Sequence, residues 1–260
     1  MAAFDVRWRF RFGAFLVNGE FTGEILGRGG NGVVEKVKSR PSEYVRSSCS
    51  KFFSPSKVIV NGQVCAGKSI YEELVDPDNV GGSRTIIDRY LRECEIMSRL
   101  NHSNVTRFVG VCVKPDYSQP VLLMAKLDGN FDDLISGFKD PNLPLSLTLS
   151  IITDVAKGLH YLHDLNAEET IIHRDLTTRN VLLTSNNMVA QITDFGMSRI
   201  VNKRAVLTLS PVPGCPVYMA RETLARIIDG IEEENAHYGP SLDVFSFGHL
   251  SLVALTQVCV

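Results

Sequence analysis

Hydrophobic and polar positions alternate with period two in the first part of the chain. From Val6 to Phe12 apolar residues alternate with arginine, which predicts a strand with one buried face. Residues 25–37 predict two strands joined by a glycine turn, and residues 58–70 predict a further strand. Residues 39–57 are rich in Ser, Lys and Arg and contain two prolines, so we interpret them as a surface insertion.

Apolar residues recur at helical spacing in later stretches. Between Ser83 and Leu100 they predict a helix with one buried stripe and with Glu93 at its edge. A second helix is predicted from the stripe formed by Ile152, Val155, Leu159 and Leu162. A third is predicted to begin near Leu242, so the periodicity changes from strand-like to helical along the chain.

This change in periodicity predicts a boundary between two structural units. Strands are predicted at residues 105–113 and 121–127, and a turn at Asp128 follows them. We therefore expect a β-rich unit at residues 1–127 and a mostly helical unit at residues 128–260.

Composition and charge exclude several classes of protein. The 27 basic and 29 acidic side chains give a formal net charge of -2, so the chain implies neither nucleic acid nor an anionic membrane as partner. A hydrophobic fraction of 44% argues against a disordered chain. No stretch predicts a signal peptide or a membrane span. The 6 cysteines have no C-x-x-C spacing, which favours a reducing, cytoplasmic setting.

A glycine-rich segment lies within the first predicted strand pair. Its glycines would let backbone N–H groups approach a polyphosphate without interference from side chains. A dinucleotide-binding loop is disfavoured because it must lead from a strand into a helix, whereas strands are predicted on both sides here. By itself the segment is equally compatible with an ordinary hairpin turn. Its residues of interest are Gly27, Gly29, Gly30, Gly32 and Val34.

Several motifs then follow one another in a set order. They are Val64-Cys65-Ala66-Gly67-Lys68, Glu93, the run from His173 to Asn180, Asp194-Phe195-Gly196, and the run from Asp243 to Gly248. In this order the chain resembles the protein kinase family, with features of its tyrosine kinase-like and tyrosine kinase groups, from about Phe21 onward. The resemblance implies an α+β fold of two lobes, a β-rich N-lobe and a mostly helical C-lobe. Because the sequence ends at Val260, the C-lobe is expected to be partial.

The resemblance also implies roles in phosphoryl transfer from ATP to a protein substrate. Asp175 would accept the proton of the substrate hydroxyl, and Lys68, paired with Glu93, would contact the α and β phosphates. Asn180 and Asp194 would hold Mg²⁺, a cation that prefers oxygen ligands.

The nucleotide site is implied in the same way. Met124 falls at the back of the expected adenine pocket, and the backbone of residues 125–127 would bond the base. Each apolar member of the set is also an ordinary core residue, so the assignment depends on the flanking motifs. The expected nucleotide contacts are Gly27, Gly29, Gly32, Val34, Ala66, Lys68, Met124, Leu127 and Leu182.

The residues from Asp194 to Glu222 resemble an activation segment, with Thr208, Ser210 and Tyr218 as candidate phosphorylation points. Arg221 replaces the proline of the family's Ala-Pro-Glu motif. This departure, together with the early end of the sequence, motivates an alternative function, a non-catalytic pseudokinase or nucleotide-binding scaffold.

Two further signals concern substrate and metal. The run Thr177-Thr178-Arg179 is closer to tyrosine kinases, whereas residues 214–219 are closer to the tyrosine kinase-like group, so both hydroxyl classes remain open. His160 and His163 are spaced i and i+3 on a predicted helix, and we expect packing or solvation there because no third ligand lies nearby.

Overall fold

The chain divides into two compact units, 1–100 with 107–126 and 101–106 with 127–260. The boundary after Lys126 lies one residue before the boundary expected from the sequence. Residues 101–106 join the second unit because Asn104 Nδ2 donates to the Ala190 carbonyl at 3.0 Å and Thr106 N–H donates to the Ile192 carbonyl at 2.9 Å. The computed structural model describes residues 53–60, 63–70, 90–113, 120–137, 143–186, 188–203, 215–224 and 239–257.

The first unit contains a four-stranded antiparallel sheet and a helix. The sheet order is β1-β2-β4-β3. Helix α1 covers residues 90–98 and carries buried residues on its inner face, as its apolar spacing predicted. The strands are β1 (Phe53–Val60), β2 (Gln63–Ile70), β3 (Phe108–Val113) and β4 (Pro120–Ala125).

The single strand expected at residues 58–70 is wrong, because the structure has a pair of antiparallel strands there. Val60 pairs with Gln63, so only Asn61 and Gly62 separate β1 from β2. Asn-Gly between two apolar runs is a strong hairpin signal. The prediction of one continuous strand over residues 58–70 did not take this signal into account.

The expected insertion at residues 39–57 is also wrong in its last part, since residues 53–57 belong to β1. Pro55 had argued against a strand because proline cannot donate to a sheet ladder. Among the described strands, however, the sheet order puts β1 at the edge, and an edge strand tolerates proline. Residues 39–52, the strand predicted at 6–12 and the glycine segment lie outside the described residues.

The second unit combines helices with two small antiparallel sheets, ordered β5-β7-β8 and β6-β9. This composition confirms the α+β fold class. Of the described helices, none is both long and apolar enough to cross a bilayer. The elements are β5 (Gly129–Asn130), α2 (Phe131–Gly137), α3 (Leu145–His163), β6 (Glu169–Ile172), β7 (Val181–Leu183), β8 (Ala190–Ile192), β9 (Arg199–Asn202) and α4 (Ser241–Thr256).

Helix α3 supplies much of the second unit's core. Its buried stripe is the predicted one, except that Ile151 is fully buried and Ile152 only partly. A Cβ on Gly158 would lie 2.7 Å from the Asn104 carbonyl oxygen, so only glycine lets α3 approach the 101–106 segment this closely.

Candidate active site

The first unit holds a buried ion pair between a strand and a helix. Lys68 Nζ on β2 donates to Glu93 Oε1 at 2.7 Å and to Oε2 at 2.9 Å. Glu93 is fully buried on α1 and Lys68 is 5% exposed. The low local dielectric strengthens such a pair and makes an unpartnered member costly. The pairing expected from the sequence is therefore present.

Neighbours of this pair tie β2 to α1 more firmly. Tyr90 donates its hydroxyl to the Lys68 carbonyl at 3.1 Å, so helix and strand meet through backbone as well as charge. Burial raises the pKa of the Cys94 thiol well above its usual value, and the Glu93 carboxylate raises it further. Cys94 therefore acts as an apolar packing group beside the ion pair.

The expected adenine contacts fall into both units. Ala66 on β2 and Met124 on β4 are direct cross-strand partners, and both are buried. Leu127 and Leu182 belong to the second unit. Ala125 N–H donates to the Arg107 carbonyl at 2.9 Å, so hydrogen bonds to a base would come from other backbone groups of the 125–127 segment. Gly27, Gly29, Gly32 and Val34 lie outside the described residues.

Asp175 and Asn180 meet in a tight turn of the second unit. Asn180 Nδ2 donates to the Asp175 carbonyl at 2.7 Å and to Asp175 Oδ2 at 3.2 Å. A short 3₁₀ turn at Thr178–Asn180 brings the amide back toward the carboxylate. Asn180 is buried and thus holds the Asp175 side chain in one orientation.

Asp175 lies in an environment that opposes its negative charge. Burial, and then the nearby Asp194 carboxylate, raise the pKa of Asp175 to about 6. The nearby His173, the hydrogen bond from Asn180 and the proximity of the Cys215 backbone act in the opposite direction. The result is a carboxylate that is ionised at neutral pH and accepts a proton more readily than an exposed aspartate.

Asp194 occupies a strained backbone position next to this turn. Its φ of 63° lies in the left-handed region, and its Oδ1 accepts the Gly196 N–H at 3.4 Å. Thr193 N–H donates to the Asn180 carbonyl at 3.0 Å, which holds the segment before Asp194 beside Asn180. The Phe195 ring packs edge-on against the His173 ring, with ring centroids 5.2 Å apart. These contacts bring the expected metal ligands Asn180 and Asp194 into one region.

One carboxylate and one amide oxygen form a donor set that suits Mg²⁺ when phosphate oxygens complete its shell. Within the described part of the chain, no group of three or more His, Cys, Asp or Glu side chains could hold a metal by itself. The residues present thus fit a cation that arrives with a nucleotide and do not form a dedicated metal site.

A further buried aspartate supports the turn, and sequence analysis had assigned it no role. Asp243 is fully buried at the start of α4. Its carboxylate accepts the backbone N–H of His173 and of Arg174, each at 2.8 Å, and His163 Nε2 lies 2.8 Å from Oδ2. Arg174 has φ 69°, a conformation that costs free energy in a non-glycine residue. Asp243 therefore holds the backbone that leads into Asp175.

The two histidines singled out in the sequence have separate surroundings. His160 is exposed, whereas His163 contacts Asp243. The signal that could have found Asp243 was its position in the Asp243-to-Gly248 motif, but its partners are backbone groups that no side-chain pattern reveals.

Comparison with known proteins agrees with this geometry. The family model described as the protein kinase domain matches residues 22–259. Wall-associated receptor kinase 2 of Arabidopsis thaliana is 31% identical over 176 residues, which are 64% of this chain and 21% of that protein. Dual specificity protein kinase shkC of Dictyostelium discoideum is 30% identical over 194 residues, 74% of this chain and 35% of that protein.

Serine/threonine-protein kinase TNNI3K of Homo sapiens is 33% identical over 165 residues, 64% of this chain and 18% of that protein. The chain thus spans between about a fifth and a third of the length of these relatives. The family model covers most of the chain, and both units carry the expected motif residues. The chain belongs to the protein kinase domain family.

Proposed function

We propose that this domain transfers the γ-phosphoryl group of ATP to a hydroxyl group of a protein. The observation that carries the proposal is the Asp175 carboxylate, oriented by Asn180 and with a pKa raised to about 6. Such a group accepts a hydrogen bond from an attacking hydroxyl and takes its proton as the new phosphate ester forms.

The remaining residues bind and orient the reactants. Lys68 presents an ammonium group that Glu93 holds in place, suited to the α and β phosphate oxygens. Asn180 and Asp194 would hold Mg²⁺, which supplies positive charge against the triphosphate when bound. The backbone bonds from His173 and Arg174 to Asp243 keep Asp175 oriented throughout.

The acceptor is proposed to be a serine or threonine hydroxyl first, with tyrosine as the alternative. Relatives carry the names serine/threonine-protein kinase and dual specificity protein kinase, which favours this order. We also propose a cytoplasmic setting, because the reaction consumes ATP. The pseudokinase alternative, motivated by Arg221, has no support from a missing catalytic side chain, since Lys68, Asp175, Asn180 and Asp194 are all present.

The test measures transfer of labelled γ-phosphate by the purified chain to proteins rich in Ser and Thr and, separately, in Tyr. Lys68→Met and Asp194→Asn should each lower transfer by roughly a hundredfold or more, because each removes a group that offsets developing charge. Lys157→Met is the matched control, since this exposed lysine pairs with Asp154 on α3 and is assigned no part in the reaction. Equal transfer by all variants, or nucleotide-induced stabilisation without turnover, would contradict the proposal.

A further inference from the structure

Helix α1 is hydrogen-bonded to strand β2 at two points, and both points lie on Lys68. The Glu93 carboxylate accepts from the Lys68 ammonium group at 2.7 and 2.9 Å. The Tyr90 hydroxyl donates to the Lys68 backbone carbonyl at 3.1 Å. Tyr90 precedes Glu93 by three residues, so one face of the helix presents both groups to the strand. Two different bonds from one helix therefore act on a single residue of the strand.

The bond from Tyr90 is buried, and its direction is fixed. Tyr90 is 1% exposed and Lys68 is 5% exposed. A backbone carbonyl can only accept, so the phenol is the donor. The strand register puts Pro55 of β1 opposite Lys68, and proline has no N–H to offer to that carbonyl. Because the contact is shielded from solvent, water does not readily replace the hydroxyl if it is lost.

The two bonds constrain different parts of the first unit. Lysine and glutamate have long side chains with several rotatable bonds, so an ion pair between their ends leaves α1 some freedom to shift along β2. A tyrosine side chain has only two such angles. The acceptor of Tyr90 is a main-chain atom of β2, so its bond fixes the helix relative to the strand itself. This bond thus limits the shifts that the ion pair alone would allow.

We propose that Tyr90 is a positioning residue that makes the Lys68–Glu93 pair the resting state of this domain. Its hydroxyl holds α1 against β2 before nucleotide binds, so the Lys68 ammonium group is already oriented for the phosphates. This inference rests on the proposed kinase function. It assigns Tyr90 no part in the chemical step.

The size of the effect follows from the population of the paired state. When a ligand binds only one of two states, its apparent affinity is reduced by the fraction of molecules in that state. Loss of one buried hydrogen bond weakens the pairing equilibrium by up to about tenfold. If the hydroxyl makes the paired state predominant, its removal should weaken nucleotide binding roughly two- to fivefold.

The test compares the parent chain with Tyr90→Phe in the complete protein. The Kd for magnesium ADP, from titration calorimetry, and the KM for ATP should both rise by this factor. The kcat at saturating ATP should stay within about twofold, because bound nucleotide restores the pair. An active chain with unchanged Kd and KM in Tyr90→Phe would overturn the inference and leave the proposed function intact. A fall in kcat without a change in KM would also overturn it.

A double-variant cycle shows whether the hydroxyl acts through the ion pair. Glu93→Gln removes the carboxylate that Tyr90 helps to position. In that background, Tyr90→Phe should change the Kd for magnesium ADP by less than about 1.5-fold. An equal effect of Tyr90→Phe in both backgrounds would mean that the hydroxyl acts independently of the pair, which contradicts the positioning role.

Thr148→Val is the matched control. Thr148 is buried in the second unit, and its hydroxyl donates to the Pro144 carbonyl at 3.3 Å. The variant therefore also loses a hydroxyl that is bonded to a backbone carbonyl. We expect a comparable decrease in thermal stability with no change in the Kd for magnesium ADP. An equal rise of the Kd in Thr148→Val and Tyr90→Phe would reduce the effect to general destabilisation and refute the inference.

Hydrogen exchange tests the bond in the absence of nucleotide and of activity. Tyr90→Phe should speed amide exchange about three- to fivefold in peptides from residues 63–70 and 90–98, whereas Thr148→Val should do so only in peptides from residues 145–163. Unchanged exchange of residues 63–70 and 90–98 in Tyr90→Phe would overturn the inference even in a chain that transfers no phosphate.

Discussion

The two units orient their charged groups by different means. In the first unit, the Lys68 ammonium and the Glu93 carboxylate contact each other directly and are both buried. In the second unit, Asp243 acts on Asp175 through the backbone N–H groups of His173 and Arg174. The first arrangement depends on one pair of opposite charges, whereas the second distributes its support over several hydrogen bonds.

This difference determines which substitutions lower the stability of each unit most. Removing one member of a buried ion pair leaves an uncompensated charge in a low-dielectric interior. Removing one acceptor from a backbone network leaves N–H groups unsatisfied and releases a strained segment, but introduces no isolated charge. The predictions below test this contrast in order of decreasing expected effect.

The largest effect is expected for Glu93→Ala. It leaves Lys68 buried without its carboxylate and should lower the free energy of unfolding by about 3–5 kcal/mol. Chemical denaturation followed by circular dichroism measures this change. Glu95→Ala, an exposed glutamate on the same helix, is the control and should have little effect.

A double variant sharpens the same prediction. Lys68→Met combined with Glu93→Leu removes both charges and should recover most of the lost stability, although it abolishes phosphate transfer. Stability as low as in Glu93→Ala alone would mean that packing around α1, and not the loss of the Glu93 charge beside Lys68, lowers the free energy of unfolding.

An intermediate effect is expected for Asp243→Asn. The amide keeps the size of the side chain but presents an NH₂ group to one N–H donor, which should lower the free energy of unfolding by about 2–3 kcal/mol. Phosphate transfer should fall together with stability because Arg174 is released. Denaturation and transfer assays check both. Asp164→Asn, which disturbs an exposed pair with Lys203, should change neither.

The smallest effect has the opposite sign. Because the pKa of Asp175 rises from 3.8 in the unfolded chain to about 6 in the folded one, its ionised form destabilises the fold above pH 6. The shift corresponds to roughly 3 kcal/mol, and solvent screening of this half-buried carboxylate reduces it, so Asp175→Asn should raise the free energy of unfolding at pH 7.5 by about 1–2 kcal/mol while abolishing transfer. This advantage should shrink as the pH falls through 6 and vanish near pH 4.

Thermal melts between pH 4 and pH 8 without nucleotide measure this dependence, with the exposed Glu168→Gln variant as control. An Asp175→Asn variant less stable than the parent chain at pH 7.5 would contradict the raised pKa. The Asp175 carboxylate would then stabilise the fold in its ionised form, as the charges of the Lys68–Glu93 pair do in the first unit.

The pairing of Lys68 with Glu93 could be predicted from the sequence, whereas the hydrogen bonds that support the Asp175 turn could not. Lys68 and Glu93 could be paired because a strand motif and a helical stripe each position one charge, and the family resemblance relates them. The role of Asp243 could not be predicted, because its acceptor atoms meet backbone N–H groups about 70 residues away. Local patterns contain no such information.

The predicted strand boundaries were wrong for a different reason. The interval 58–70 appears continuous in hydropathy, so the pair Asn61-Gly62 was the only local sign of a reversal. Pro55 likewise argued against a strand until the order of the described strands put β1 at an edge. Both errors concern which strand neighbours which, and that is decided by tertiary pairing.

The left-handed backbone at Asp194 has a consequence for how this chain can be engineered. Glycine would adopt φ 63° without penalty, so Asp194→Gly would relieve a local cost of about 1 kcal/mol. A search that selects only for thermostability would thus favour loss of the side chain that we propose holds Mg²⁺. Stabilising libraries of this domain should keep position 194 constant.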